Sequence, residues 1–135
     1  MNASTDFREA KILVLIVDDH SAVRDGIKSL IQEAPDIQVV GEATNGMEAI
    51  TAARTLKPNV VLMDLSMPEM DGLEATTRLC IELPSARILM LTQHDDDHHK
   101  QRAILHGASG FLSKDLIVRD LATAIRTVAG GGFFF

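Results

Sequence analysis

The run Asn59-Val60-Val61-Leu62-Met63-Asp64, introduced by Pro58 and followed by Leu65-Ser66-Met67-Pro68-Glu69-Met70-Asp71-Gly72, decides how the rest of the chain is read. Its unbroken apolar stretch leaves no polar face, so it predicts a strand buried on both sides. The strand ends in a carboxylate and then breaks into a Pro/Gly loop, which sets Asp64 at the mouth of a sheet. In open α/β sheets ligands bind at the carboxyl ends of the strands. Alone, Asp64 reads more simply as a turn or helix cap. Its company changes that reading.

Upstream, Lys11 to Val17 is a second continuous apolar strand, and it ends in Asp18-Asp19-His20. Helical spacing follows at Val23, Ile27, Leu30 and Ile31, stopped by Pro35-Asp36. Ile37 to Ala43 predicts a shorter strand, and Thr44-Asn45-Gly46 turns into a helix carrying Ala49, Ile50, Ala53 and Leu56. Downstream of Gly72, Leu73, Leu79, Cys80 and Leu83 mark a helix closed by Pro84. Arg87 to Thr92 is an apolar strand ending in a hydroxyl, and a weaker helix runs to about His106. Phe111-Leu112-Ser113 is a short strand ending in Lys114, with Asp115 expected to cap a last helix that carries Leu121, Ala124, Ile125 and Val128. Five strands alternating with five helices predict an α/β fold: a doubly wound parallel sheet with helices on both faces.

In such a sheet the carboxyl ends of the strands share one edge, so Asp18, Asp19, Asp64, Thr92 and Lys114 converge there. Carboxylates in one pocket repel one another unless a cation intervenes. Oxygen ligands that leave room for water suit Mg²⁺, with Asp18, Asp19 and Asp64 as side-chain ligands and a backbone carbonyl near Ser66. A metal, the point charge of Lys114 and the hydroxyl of Thr92 are what a phosphoryl group needs around it. One carboxylate is then left to act as nucleophile through an aspartyl-phosphate, and Asp64, mid-sheet and leading into the loop, is the best placed.

Composition narrows the field. The 135 residues suit one domain, are 46% hydrophobic and 24% charged, and carry a net charge of −6, a poor balance for coating nucleic acid. The longest aliphatic run, Ile12 to Val17, is too short to span a bilayer, so no membrane partner is expected. A single cysteine, Cys80, permits no internal disulfide and fits a reducing cytoplasm. Residues 1–10 read as a frayed start, 11–129 as the domain and 130–135 (Gly130-Gly131-Gly132-Phe133-Phe134-Phe135) as a tail. Its triple Phe is a sticky patch expected to dock on the domain or on a second copy. His94, His98 and His99, with Asp95, Asp96 and Asp97 among them, read as a solvated helix start in preference to a transition-metal site.

The motifs Asp18-Asp19-His20, Asp64-x-x-Met67-Pro68-x-Met70-Asp71-Gly72, Leu91-Thr92-x-His94-Asp95 and Gly107-Ala108-x-Gly110-Phe111-Leu112-x-Lys114-Asp115 together resemble the receiver domain of two-component response regulators, over about Ile12 to Val128. The closest likeness is to the NarL/FixJ-like subfamily, which has a LuxR-type helix-turn-helix output domain. The resemblance implies strand order 2-1-3-4-5, phosphoryl transfer from a histidine kinase to Asp64, and Mg²⁺ held by Asp18 and Asp19. It further implies phosphoryl contacts from Thr92 and Lys114, a switch aromatic at Phe111, and transcriptional output through a DNA-binding domain outside this chain. A homodimer formed on phosphorylation, or a stand-alone receiver acting by protein contacts, also fits. Direct nucleic-acid binding by this chain is not expected. The chain is read as a signalling switch and not as an enzyme in its own right.

Two other classes share parts of the pattern. A haloacid-dehalogenase-type phosphatase also uses an aspartate nucleophile with Mg²⁺, Thr and Lys, but it resembles Asp-x-Asp, whereas Ser66 stands two residues after Asp64. A flavodoxin-like carrier cradles phosphate in its first loop, where this chain has Asp18-Asp19.

Overall fold

Each apolar run of the sequence serves two cores at once. In the computed structural model, which describes residues 11–65, 67, 71–93 and 97–135, β3 (Val60–Asp64) is buried over its whole length. Val61 and Met63 enter one core, Val60 and Leu62 the other, because successive strand side chains point to opposite faces. The same division runs through β1 (Ile12–Val17), with Leu15 and Val17 set against Val14 and Ile16. In β4 (Arg87–Thr92), Ile88 and Met90 oppose Leu89 and Leu91. A pattern without alternation is therefore what a central strand requires.

β2 (Ile37–Ala43) and β5 (Gly110–Ser113) complete a sheet of order β2-β1-β3-β4-β5, parallel throughout. Parallel neighbours need crossover connections, which the helices supply. α1 (Ser21–Gln32) and α5 (Ile117–Ala129) cover one face, and α2 (Gly46–Leu56), α3 (Gly72–Glu82) and α4 (Asp97–Leu105) cover the other. This is the doubly wound α/β architecture expected from the alternation, with the order that the resemblance implied.

Local chemistry starts the helices. The Asn45 side chain caps α2, accepting from the Glu48 N–H at 2.9 Å, and the Glu48 carboxylate reaches back to accept from the N–H of Thr44, one residue before the cap, at 2.9 Å. One expectation is corrected. Asp115 does not cap the last helix: Lys114–Leu116 form a 3₁₀ turn, Leu116 takes the cap position without a side-chain bond, and the Ser113 hydroxyl accepts from the Asp115 N–H at 3.3 Å. The extra turn puts the acid one step ahead of the α-helix, where its own backbone is the group being satisfied.

Charge pairs fasten α1 to the sheet edge. Arg24 and Lys28 both donate to Glu42 of β2, at 2.9 Å each. The bond from Lys28, opposed by burial and reinforced by Arg24, holds the Glu42 carboxyl below the usual glutamate range. A group with a depressed folded pKa adds stability in full above its unfolded pKa and loses it as pH falls through the folded value. Glu42→Gln is therefore expected to cost about 0.5 kcal/mol at neutral pH, the scale of a partly exposed pair. That cost should shrink below the ordinary glutamate pKa of about 4.3. Urea midpoints at pH 7 and pH 3 check this, and equal losses at both would contradict it.

The tail docks on its own domain. Gly131 takes φ +92°, and the Gly131 and Gly132 N–H groups donate to the Val128 and Thr127 carbonyls, both at 3.0 Å. That pairing is a Schellman stop, in which glycine supplies the left-handed turn. The chain then reverses so that Phe134 forms a parallel bridge with Gly110 at the outer side of β5. Phe134 packs against the α1/α5 core, while Phe133 and Phe135 stack on each other at 6.4 Å and remain exposed. Residues 1–10 lie outside the described residues.

Candidate functional site

Register brings the polar residues together. Val17 pairs with Met63, Asp64 with Leu91 and Thr92 with Ser113, so the residues at or just past these positions meet at one edge. Asp18 is fully buried, Asp64 4% and Thr92 1% exposed. Two carboxylates at that depth need a counter-charge, since burying unpaired charge costs several kcal/mol. Lys114, delivered by the end of β5, places its Nζ 3.0 Å from Asp18 Oδ2 and 3.3 Å from Asp64 Oδ1. Burial alone would push this ammonium down. The bond to Asp18, with the charges of Asp64 and Asp18, outweighs burial and holds the Lys114 pKa above the ordinary lysine value.

Asp19 is more open than Asp18, with its side chain 30% exposed. Two contacts beyond the expected set organise this loop. The His20 ring places Nδ1 3.1 Å from both Asp18 Oδ1 and Asp19 Oδ1, and its backbone N–H donates to Asp18 Oδ1 at 2.8 Å. Arg24, while bound to Glu42, also donates to the Asp18 carbonyl at 2.7 Å. Asp18, Asp19, His20 and Asp64 can each offer one ligand atom with all of these atoms within 4.8 Å of one another. Three carboxylates against one ammonium leave an excess of two negative charges, which a divalent cation would balance. The donors are hard oxygens apart from His20, as Mg²⁺ prefers. Ser66, expected to lend its carbonyl, lies outside the described residues, as do His94, Asp95 and Asp96. His98 is exposed on α4, stacked edge-to-face with the half-buried His99 at 5.7 Å.

At the acids opens a cavity of about 490 Å³, lined by the buried Asp64 and Thr92 with Lys114, and at its solvent side by the exposed Asp71, Gln93 and Arg102 and the half-buried His99, among others. The sequence offers only a faint signal for the last two: they stand three apart on the helix after β4, so they share a face. Asp71 caps α3, accepting from the Glu74 N–H at 2.9 Å. Gly72 beside it lies so close to the strand end that a Cβ there would collide with the Asp64 carbonyl oxygen. Phe111, the expected switch aromatic, is 4% exposed, packed in the same core as Met63, Met90, Ala103 and Ala108.

Known proteins share this fold. Residues 14–126 match the response regulator receiver domain. The chain is 44% identical over 124 residues to the response regulator protein VraR of Staphylococcus aureus, covering 92% of this chain and 59% of VraR. A two-component response regulator of the LuxR family from Aurantimonas superposes with TM-score 0.88 at 34% identity, covering 93% of this chain and 89% of that one. The receiver domain of the putative response regulator NarL from Mycobacterium tuberculosis gives 0.84 at 33%, covering 90% and 98%. The chain spans about three-fifths of the length of the curated relatives it matches. An acid pair after β1, an acid ending β3, a hydroxyl ending β4 and a lysine after β5, held on the matched fold, place the chain in the response regulator receiver domain family of two-component signalling.

Proposed function

We propose that this domain is a Mg²⁺-dependent phosphoacceptor switch, and that Asp64 takes the phosphoryl group from a phosphohistidine of a histidine kinase. The observation that carries this is the Lys114 ammonium held between Asp18 and Asp64. Those contacts leave it poised to turn toward a phosphoryl oxygen without crossing low-dielectric space. An Asp64 carboxylate oxygen attacks phosphorus as the P–N bond of the donor breaks, its electron pair returning to the imidazole. Asp18, Asp19 and Asp64, with the Ser66 carbonyl, would hold Mg²⁺, which when bound supplies charge neutralisation for the transferring group. Lys114 and Thr92 then contact the phosphoryl oxygens.

The gained charge is about −1.5 to −2. Thr92 and Lys114 head the segments bearing α4 and α5, so drawing them inward shifts the population of that half of the domain, with Phe111 moving between them. The change is read by a second receiver or by a DNA-binding output domain outside this chain, controlling transcription. A cytoplasmic setting suits the free Cys80, and among the described residues no helix is long and apolar enough to cross a membrane.

The test combines mass and amide exchange. With Mg²⁺ and a small phosphodonor, wild type should gain one phosphoryl group and change its exchange within residues 92–128. Thr92→Ala should keep Mg²⁺ binding but blunt the exchange response, whereas Asp19→Ala should weaken Mg²⁺ binding itself, by tenfold or more. Equal loss of Mg²⁺ by both variants would refute this division of roles.

A further inference from the structure

The mouth of the cavity carries a cation that the chemistry so far does not use. Arg24, Arg54, Arg78, Arg119 and Arg126 each pair with a carboxylate. Arg102 lines the cavity, and among the described residues no carboxylate pairs with it. Lys114 is already committed to Asp18 and Asp64. The outer wall contributed by α4 therefore presents an unneutralised guanidinium, with the His99 ring alongside, to a space larger than the acid cluster fills.

We infer that Arg102 forms a leaving-group subsite selective for small acyl-phosphate donors; this rests on Asp64 being the phosphoacceptor. In-line displacement puts the leaving group across phosphorus from the attacking oxygen, so it departs from Asp64 toward the mouth. With an acyl phosphate, an Asp64 oxygen bonds to phosphorus, the bridging P–O bond breaks, and its electron pair leaves on a carboxylate; no proton is needed. That carboxylate acquires full charge only as the bond breaks, and a planar guanidinium matches it with two parallel hydrogen bonds. A donor aimed at charge developing in the transition state accelerates the step. With phosphoramidate the departing group is an amine, which develops no negative charge, and the guanidinium has nothing to stabilise.

Phosphorylation is followed by intact mass in Mg²⁺ buffer with acetyl phosphate and with phosphoramidate, for wild type, Arg102→Gln and Arg102→Lys. Arg102 is exposed on α4, so these variants are expected to fold, which circular dichroism checks. In Arg102→Gln the ratio of the acetyl phosphate rate to the phosphoramidate rate should fall about tenfold, and Arg102→Lys should restore only part of it, because lysine keeps the charge but loses the fork. An unchanged ratio with the Asp64 mass gain intact would overturn the subsite alone. Absence of any Asp64-linked gain in wild type with both donors would overturn the phosphoacceptor reading and the subsite with it. Full rescue by lysine would show a point-charge effect and remove the bidentate assignment.

Discussion

Asp64→Ala is expected to gain no phosphoryl group under conditions in which wild type gains one, a complete loss visible by intact mass. Among the described residues, neither neighbouring carboxylate of the acid pair can substitute without rebuilding the edge. Asp18 is fully buried with both oxygens engaged, one by His20 and one by Lys114, and Asp19 sits further out. The same change should raise stability in Mg²⁺-free buffer, since it removes one of three carboxylates that can bring an oxygen each within 4.8 Å of the others. Mg²⁺ then separates the two proteins. At ten times its Kd a ligand that binds only the folded state adds about 1.4 kcal/mol. Wild type should therefore gain several degrees in Tm and lose them with EDTA, while the variant should respond far less. A mass gain that survives the substitution would refute the assignment of Asp64.

Gly72→Ala is expected to cost about 3 kcal/mol, the upper range for forcing extra atoms into packed structure. The added carbon meets a backbone carbonyl, that of Asp64, which cannot rotate away as a side chain tip would. Relief requires either the end of β3 or the first turn of α3 to move, so phosphorylation should fall together with stability. Gly26→Ala is the control. It lies in α1 with nothing within 4 Å of a new Cβ, and should stabilise by roughly 1 kcal/mol through helix propensity alone. Urea midpoints for the two variants should move in opposite directions. If Gly72→Ala were neutral, the close approach at the strand end would be wrong.

These two glycines show what was and was not legible beforehand. Asp18, Asp64, Thr92 and Lys114 could be found because each closes an apolar run, and strand ends in a parallel sheet must share an edge. The loop after Asp64 was equally plain as a loop, but the reason for Gly72 was not, because it depends on the distance between a helix start and the strand preceding it. Arg102 and His99 were missed as cavity residues for another cause. The periodicity of α4 is weak, so its inward face could not be phased from Ala103 alone, its buried residue. Asp115 misled because an Asp before an amphipathic run usually caps it, and nothing local announces an intervening 3₁₀ turn. His20 stands beside the acid pair with no role that its residue type announces. Its ring position between Asp18 and Asp19 follows from loop geometry that residue types do not encode.

The docking of Phe134 has a consequence for how copies of this chain behave toward one another. The outer side of a marginal strand is a template for any extended segment that arrives. Here it is taken by the chain itself: the Phe111 N–H donates to the Phe134 carbonyl at 2.8 Å, and the Phe134 N–H to the Ser109 carbonyl at 3.0 Å. The segment that occupies it is short, is reached through three glycines, and is held by these two bonds and by the packing of Phe134 against the α1/α5 core. The edge of β5 is thereby covered from Ser109 to Phe111, which leaves that stretch of the ladder closed to an incoming strand of a second copy.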